Sequence, residues 1–122
     1  MGAPSWVVHY VDLPNGEDAL LELAEDLTDR QLARFKGQAK RLADNGEALD
    51  GDYFDKVENS RRGLREFRVT AEGVEIRFLY RLRGRTFVML RGYKHKRRRD
   101  VEKHIPAAEQ RLDEWDKNHE PK

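Results

Sequence analysis

The chain has 122 residues, of which 39% are charged and 38% are hydrophobic, and its formal net charge is only +1. This composition predicts one folded domain, residues 1–122, because the apolar and aromatic content suffices for a small core. The absence of cysteine excludes a disulfide framework and a zinc ribbon. No apolar run approaches the roughly 18 residues of a membrane span, so we expect a soluble protein, most simply a cytoplasmic one.

The N-terminal part predicts one strand followed by two helices. Residues 5–12 are rich in β-branched and aromatic side chains, as a strand requires. Apolar residues then recur at spacings of three and four from Leu20 to Leu27, and the pattern resumes further along. Thr28 and Gln31 match a capping box, so the second helix should begin there and end at Asn45-Gly46. These helices should form a hairpin with one apolar side.

The C-terminal part predicts a three-stranded meander and a closing helix, after a polar connector over residues 49–62. The closing helix is expected over Lys103 to Asp116, with Pro106 in its first turn because proline disrupts a helix interior. Turns are expected at Ala71–Gly73 and at Arg83-Gly84. The predicted strands are Leu64 to Thr70, Val74 to Leu82 and Thr86 to Gly92.

Basic charge is concentrated on this meander. Residues 61–99 hold 14 Lys and Arg against 3 Asp and Glu, whereas residues 1–60 hold 6 against 13. The small net charge of the whole chain therefore hides a segregation. A basic block on one supersecondary unit indicates a polyanionic partner, with nucleic acid the first candidate.

The second predicted strand alternates strictly between apolar and polar residues. Its even positions should face a core, which places Arg77 on the opposite, outer face. If Phe67 and Val69 of the preceding strand join the core, Arg68 lies beside Arg77 on that outer face. Such a face suits RNA binding. An ordinary solvated sheet face with Arg–Glu cross-strand pairs is the alternative that the pattern leaves open.

Four motifs in this half resemble a known protein family. They are Leu64-Arg65-Glu66-Phe67-Arg68, Ile76-Arg77-Phe78-Leu79-Tyr80, Leu90-Arg91-Gly92-Tyr93-Lys94-His95-Lys96 and Ala108-Glu109-Gln110-Arg111-Leu112. Their order and spacing, over about residues 56–115, resemble the RelE/ParE superfamily of toxins from bacterial toxin–antitoxin modules, in particular its HigB-like, partly phage-derived branch. Two features depart from the family: its paired lysines stand here as His95-Lys96, and the Thr-Pro before the last helix is missing.

The resemblance implies an α+β, RelE-like fold: a small, mostly antiparallel sheet with an N-terminal helical hairpin on one face and a short C-terminal helix. It also implies a type II toxin, a ribosome-dependent mRNA endoribonuclease that uses no metal or other cofactor and arrests translation. The expected partners are mRNA on the ribosome and a cognate helix-turn-helix antitoxin. A ParE-like inhibitor of DNA gyrase and a non-catalytic nucleic-acid-binding relative are the alternatives.

The reaction that this family implies is attack of a ribose 2′-hydroxyl on the adjacent phosphate, which needs a base, cations and an acid. We assign the phosphate charge to Arg68 and Arg77, because a guanidinium fork matches phosphate oxygens. We assign proton transfer to His95, whose free pKa lies near neutrality, with Lys96 beside it. Glu66 is expected to hold an arginine in place rather than to act as the base. The expected RNA-binding residues are Lys56, Arg91, Tyr93, Lys94, Arg97, Arg98 and Arg99.

Simpler interpretations accompany these assignments. The basic run that ends at Arg99 is equally typical of a solvated loop, and His95 of an exposed loop histidine. Tyr93 is expected to stack on a base, but it would also serve to cover the core. The other histidines, among them His104, have no spacing that suggests a metal site, and we assign them no role.

Overall fold

The computed structural model describes residues 6–46, 54–57 and 60–119. All described strands belong to one sheet, in the order β1-β5-β4-β3-β2, in which β1 and β5 are parallel and the other neighbours antiparallel. The predicted α+β fold with a mostly antiparallel sheet is confirmed. Its elements are β1 (Val7–Tyr10), α1 (Ala19–Ala24), α2 (Asp29–Asn45), β2 (Phe54–Lys56), β3 (Arg65–Ala71), β4 (Val74–Arg83), β5 (Thr86–His95) and α3 (Asp100–Asn118).

Helices cover both faces of the sheet. Phe78 of β4 stacks on Phe35 of α2, with ring centroids 5.7 Å apart, and defines the inner face. Side chains alternate along a strand, so Arg77 and its cross-strand partner Tyr93 point to the outer face. There Tyr93 stacks on His104 of α3 at 4.4 Å. Helix α3 therefore occupies part of the face that the alternation assigned to arginines.

The second helix begins and ends where the sequence predicts. The Thr28 hydroxyl accepts a hydrogen bond from the Gln31 N–H at 3.1 Å, and the Gln31 side chain accepts one from the Thr28 N–H at 2.9 Å. This reciprocal pair is the expected capping box. Phe35, Ala39 and Leu42 recur at helical spacing and are buried against the sheet. The first helix is shorter than expected, since α1 ends at Ala24.

A short strand, β2, lies in the segment expected to be a polar connector. Phe54 is buried, pairs with Phe67 of β3 and contacts its ring at a centroid distance of 5.8 Å. The segment was predicted only as a polar connector, so the prediction missed this strand. One aromatic residue followed by Asp55 and Lys56 gives no alternation that a sequence pattern would detect.

The β4–β5 turn is shifted by one residue from its prediction. The two strands stay paired up to Arg83 and Thr86, so the turn residues are Gly84 and Arg85 rather than Arg83-Gly84. Gly84 has φ +60°, as the first turn position of a type II′ hairpin requires. Glycine fits that position because a side chain there would be strained.

The last helix begins at Asp100, three positions before its predicted start, and Pro106 consequently lies inside it. The prediction that Pro106 occupies the first turn is wrong. Ile105 and Ala108 on either side of the proline are buried against the sheet, and this packing keeps the helix continuous. Pro106 itself is exposed. No helix in the described part of the chain has the length and apolar character to cross a membrane.

A β-bulge in β5 connects the sheet to α3. Leu79 pairs with Arg91 and Tyr80 with Met89, so the described register leaves Leu90 without a partner in β4. The Leu90 carbonyl instead accepts a hydrogen bond from an Arg111 side-chain nitrogen at 2.8 Å. The extra residue thus fixes α3 against the outer face.

Candidate nucleic-acid interface

The most strongly basic segment is the loop Lys96–Arg99 between β5 and α3, hereafter the basic loop. All of its side chains are exposed. The Asp100 carboxylate accepts hydrogen bonds from the backbone N–H groups of Lys96 and Arg97, both at 2.7 Å, and these bonds lower the pKa of Asp100. The loop backbone is therefore fixed while its cations face solvent.

The basic loop separates two clefts, each with a volume of about 560 Å³. Its first two residues line one cleft and its last two line the other. The charged residues and the histidine that line the β5–α3 cleft are Glu22, Asp26, Arg91, Lys94, Lys96, Arg97, Asp100, Lys103 and His104. The charged residues that line the β2–α3 cleft are Asp55, Lys56, Glu66, Arg77, Arg98, Arg99 and Glu102.

The Arg77 side chain is held by two carboxylates in the β2–α3 cleft. One of its terminal nitrogens lies 2.8 Å from Glu66 Oε1, and another lies 2.9 Å from Glu75 Oε1. Partial burial opposes the charge of Arg77, but Glu66 and Glu75 outweigh it and raise the pKa of Arg77. The guanidinium is fully ionised and already paired with carboxylates. This agrees with the alternative interpretation of the outer face, in which arginine and glutamate side chains pair with each other.

Glu66 connects this ion pair to Tyr93. Glu66 is buried, with 3% of its surface exposed, and accepts a hydrogen bond from the Tyr93 hydroxyl at 3.0 Å. This position agrees with the expectation that Glu66 holds an arginine. Tyr93 is 4% exposed, and burial raises the pKa of its hydroxyl. With its ring packed against His104, Tyr93 is placed to cover the core rather than to stack on a base.

Arg68 and His95 are neighbours of Arg77 on the outer face. Arg68 pairs with Arg77 across β3 and β4, and His95 pairs with Glu75 across β4 and β5. Phe67 and Val69 are buried on the inner face, as the sequence pattern requires for this placement. Arg68 Nε and His95 Nδ1 are buried and have no hydrogen-bond partner within the described residues. Both side chains are partly exposed, but these two nitrogen atoms are themselves enclosed.

The structure divides the predicted site residues between three places. Arg68, Arg77 and His95 lie together on the outer face. Lys96, the first residue of the basic loop, lines the β5–α3 cleft instead. The predicted RNA-binding residues of the β5–α3 cleft are Arg91, Tyr93, Lys94 and Arg97. Those of the β2–α3 cleft are Lys56, Arg98 and Arg99.

Arg91 is tied into a network at the floor of the β5–α3 cleft. It lies 2.9 Å from the Glu22 carboxylate and donates from Nε to His104 Nδ1 at 3.1 Å. Arg111 also contacts Glu22, at 2.7 Å. Partial burial opposes ionisation of Glu22, but Arg111 and Arg91 lower its pKa overall. Sequence analysis assigned His104 no role, because only the packing of α3 on β5 brings it next to Arg91 and Tyr93.

Among residues 6–46, 54–57 and 60–119, no group of three or more histidine and carboxylate side chains is arranged to hold a metal ion. The polar groups that line the clefts are cationic side chains, one imidazole and carboxylates, of which Glu22, Glu66 and Asp100 are held by hydrogen bonds or ion pairs. This donor set suits an anionic ligand with several charges, such as a polynucleotide.

The chain matches the family model described as "Phage derived protein Gp49-like (DUF891)" over residues 22–113. No curated protein and no solved structure matches the chain. The matched residues extend from α1 through β2, β3, β4 and β5 into α3 and make up more than half of the chain. They include both clefts and the basic loop. The chain therefore belongs to the Gp49-like family of phage-derived proteins, a RelE-like toxin family of toxin–antitoxin modules.

Proposed function

We propose that this protein is a HigB-like toxin that cleaves mRNA on the ribosome without a metal ion and thereby arrests translation. Membership of a toxin family supports the role of a toxin. The observation that carries the nuclease proposal is the basic loop, whose exposed cations are shared between two adjacent clefts. A single RNA strand crossing the loop would place successive phosphates beside separate groups of cations.

In this proposal, the fixed backbone of the basic loop prearranges the charge that stabilises the crowded phosphate. Lys96 supplies charge from one side of the loop and Arg98 from the other. Arg68 contributes the charge of its guanidinium, because it lies beside Arg77 on the outer face and is partly exposed. His95, which lies on the same face but in β5, is the proposed group for proton transfer.

The proposed partner is a cognate antitoxin with a helix-turn-helix domain. A toxin family of this kind implies an antitoxin in general. We propose that an acidic surface of the antitoxin covers the basic loop, since opposite charges steer and orient association. Binding there would exclude mRNA from both clefts at once.

The test is mRNA cleavage in a reconstituted translation reaction, with the double variant Lys96→Ala/Arg97→Ala and the control Lys117→Ala. Lys117 is equally exposed but lies in the last turn of α3, away from both clefts. We expect the wild type and the control to stop translation and to leave new 5′ ends inside the reading frame. The double variant should be at least tenfold slower, because it lacks the two cations that the basic loop contributes to the β5–α3 cleft.

Variants Arg68→Ala and Arg77→Ala extend the test to the outer face, and we expect both to relieve growth arrest. Arg77→Ala also removes the partner of buried Glu66, so its folding is checked by circular dichroism. The assignment fails if Arg68→Ala and the double variant, both folded, cleave mRNA as fast as the wild type.

One observation favours the non-catalytic alternatives. The charge of Arg77 is already balanced by Glu66 and Glu75, which leaves less of it for a phosphate. A ParE-like gyrase inhibitor or a nucleic-acid-binding relative without activity would need no free arginine there. A gyrase supercoiling assay, run beside the translation assay on the same purified protein, distinguishes these functions: inhibition of supercoiling without mRNA cleavage would establish the inhibitor.

A further inference from the structure

The protonation of His104 follows from its contact with Arg91. His104 Nδ1 lies 3.1 Å from Arg91 Nε. A guanidinium can only donate hydrogen bonds, so Nδ1 must be the acceptor and carries no proton. The neutral imidazole consequently has its proton on Nε2.

The ring of His104 is also fixed in orientation. One face stacks on Tyr93 at a centroid distance of 4.4 Å and an interplanar angle of 18°. Tyr93 is itself held by its hydrogen bond to Glu66, and Arg91 by its ion pair with Glu22. Nε2 has no hydrogen-bond partner among the residues that the structure describes, and His104 lines the β5–α3 cleft. A rigid N–H donor is therefore presented to this cleft.

The charges around this donor favour an anion. Two of the carboxylates in the cleft are already satisfied: Glu22 by Arg91 and Arg111, and Asp100 by two backbone N–H groups. Asp26 remains as an exposed negative charge. The cations that line the same cleft, outside the Arg91 ion pair, are Lys94, Lys96, Arg97 and Lys103.

We propose that the β5–α3 cleft is a binding site for one phosphodiester group and that His104 donates its Nε2–H to a phosphate oxygen there. The proposal that the phosphodiester belongs to an RNA strand rests on the proposed function. Arg68, Arg77 and His95 do not line this cleft, and the role proposed for His104 in it is binding. Burial, and then the positive charge of Arg91, lower the pKa of His104, so it stays a neutral donor at pH 7.

Paired substitutions of His104 test the donor. In His104→Gln the amide nitrogen reaches the position of Nε2, whereas in His104→Asn the shorter side chain reaches only the position of Nδ1. The probe is a fluorescent single-stranded oligoribonucleotide with 2′-O-methyl groups, which this chemistry does not cleave. We expect His104→Gln to bind within about twofold of the wild type and His104→Asn to bind about tenfold more weakly.

The control is His119→Gln, at the C-terminal end of α3, which should bind like the wild type. Nitrogen-15 NMR of the wild-type protein at pH 7 gives a second measurement that needs no variant. We expect the Nε2–H tautomer at His104, and inorganic phosphate should shift the His104 signals but not those of His119. A Nδ1–H tautomer, no response to phosphate, or a folded His104→Asn that binds RNA like the wild type would each overturn the proposal.

The binding measurement separates this inference from the nuclease proposal. If the protein binds the modified RNA through His104 but does not stop translation, the phosphodiester site stands and the proposed function fails. If translation is arrested and His104→Asn binds RNA normally, the proposed function stands and the site assignment fails.

Discussion

Glu66 is the residue on which the arrangement of the outer face depends. It is buried between two donors, the guanidinium of Arg77 and the hydroxyl of Tyr93. Because Tyr93 in turn supports the ring of His104, this carboxylate connects the β2–α3 cleft to the β5–α3 cleft. A buried charge with two partners is costly to remove, since its partners are left unpaired.

Glu66→Gln should therefore lower the free energy of unfolding by about 2 kcal/mol, because Arg77 loses its buried counter-charge. Glu75→Gln is the matched control, since it removes the other carboxylate of Arg77 from a site that is 32% exposed. We expect it to cost only about 0.5 kcal/mol. Urea unfolding of the three proteins measures both values, and equal losses would show that burial does not distinguish the two carboxylates.

The positions of single residues were predictable only where a strand pattern determines them. Alternation along β4 correctly predicted that Arg68 and Arg77 share the outer face. The expectation that Glu66 holds an arginine agrees with the structure. Alternation could not identify that arginine as Arg77 or add Glu75 as its second partner, because the choice of partners depends on side-chain rotamers. The position of His104 depends on the docking of α3, which no local pattern encodes.

Among the elements, α2 is the one whose start is determined most completely by local interactions. Its capping residue Thr28 also donates from its hydroxyl to a Glu72 side-chain oxygen at 2.7 Å. Glu72 lies in the β3–β4 turn and has φ +51°, a strained conformation for a residue other than glycine. The cap thus joins the helix to a strained turn of the sheet.

Thr28→Ala should destabilise the protein by about 1 kcal/mol, because it removes the acceptor for the Gln31 N–H. Thr28→Ser keeps the hydroxyl and serves as the control, with an expected loss well below that value. The measurement is the midpoint of urea unfolding at constant slope. An equal loss in the serine variant would assign the effect to the methyl group instead of the cap.

Elements with a clear apolar pattern were predicted well, and those without one were not. The helix α2 and the strands β3 and β4 carry apolar residues at regular spacing, and β5 carries a continuous apolar run. Each lies within a few residues of its predicted range. Strand β2 has only one buried residue, and it is a strand because its backbone pairs with β3. Pro106 misled the prediction of α3, because packing on the sheet outweighs the local preference.

For the whole molecule, the segregated charge sets the expected response to salt. RNA binding should weaken linearly on a plot of log affinity against log salt, with a slope of about −3 for four or five phosphates on a single strand. Lys96→Ala/Arg97→Ala should reduce the steepness by about 1.4, since each lost contact contributes about 0.7. Fluorescence titrations between low and physiological salt measure these slopes, and Lys117→Ala should leave the slope unchanged. A flat response would contradict the basic-loop interface.

The parallel pairing of β1 with β5 has a consequence for when the toxin is assembled. Val7 pairs with Thr86, so the first strand to be synthesised has no neighbour until nearly all of the sheet has emerged from the ribosome. Helix α3, which forms one wall of both clefts, emerges later still. Long-range pairings of this kind close late. Under the proposed function, a nascent chain therefore becomes active only after β5 and α3 have both emerged.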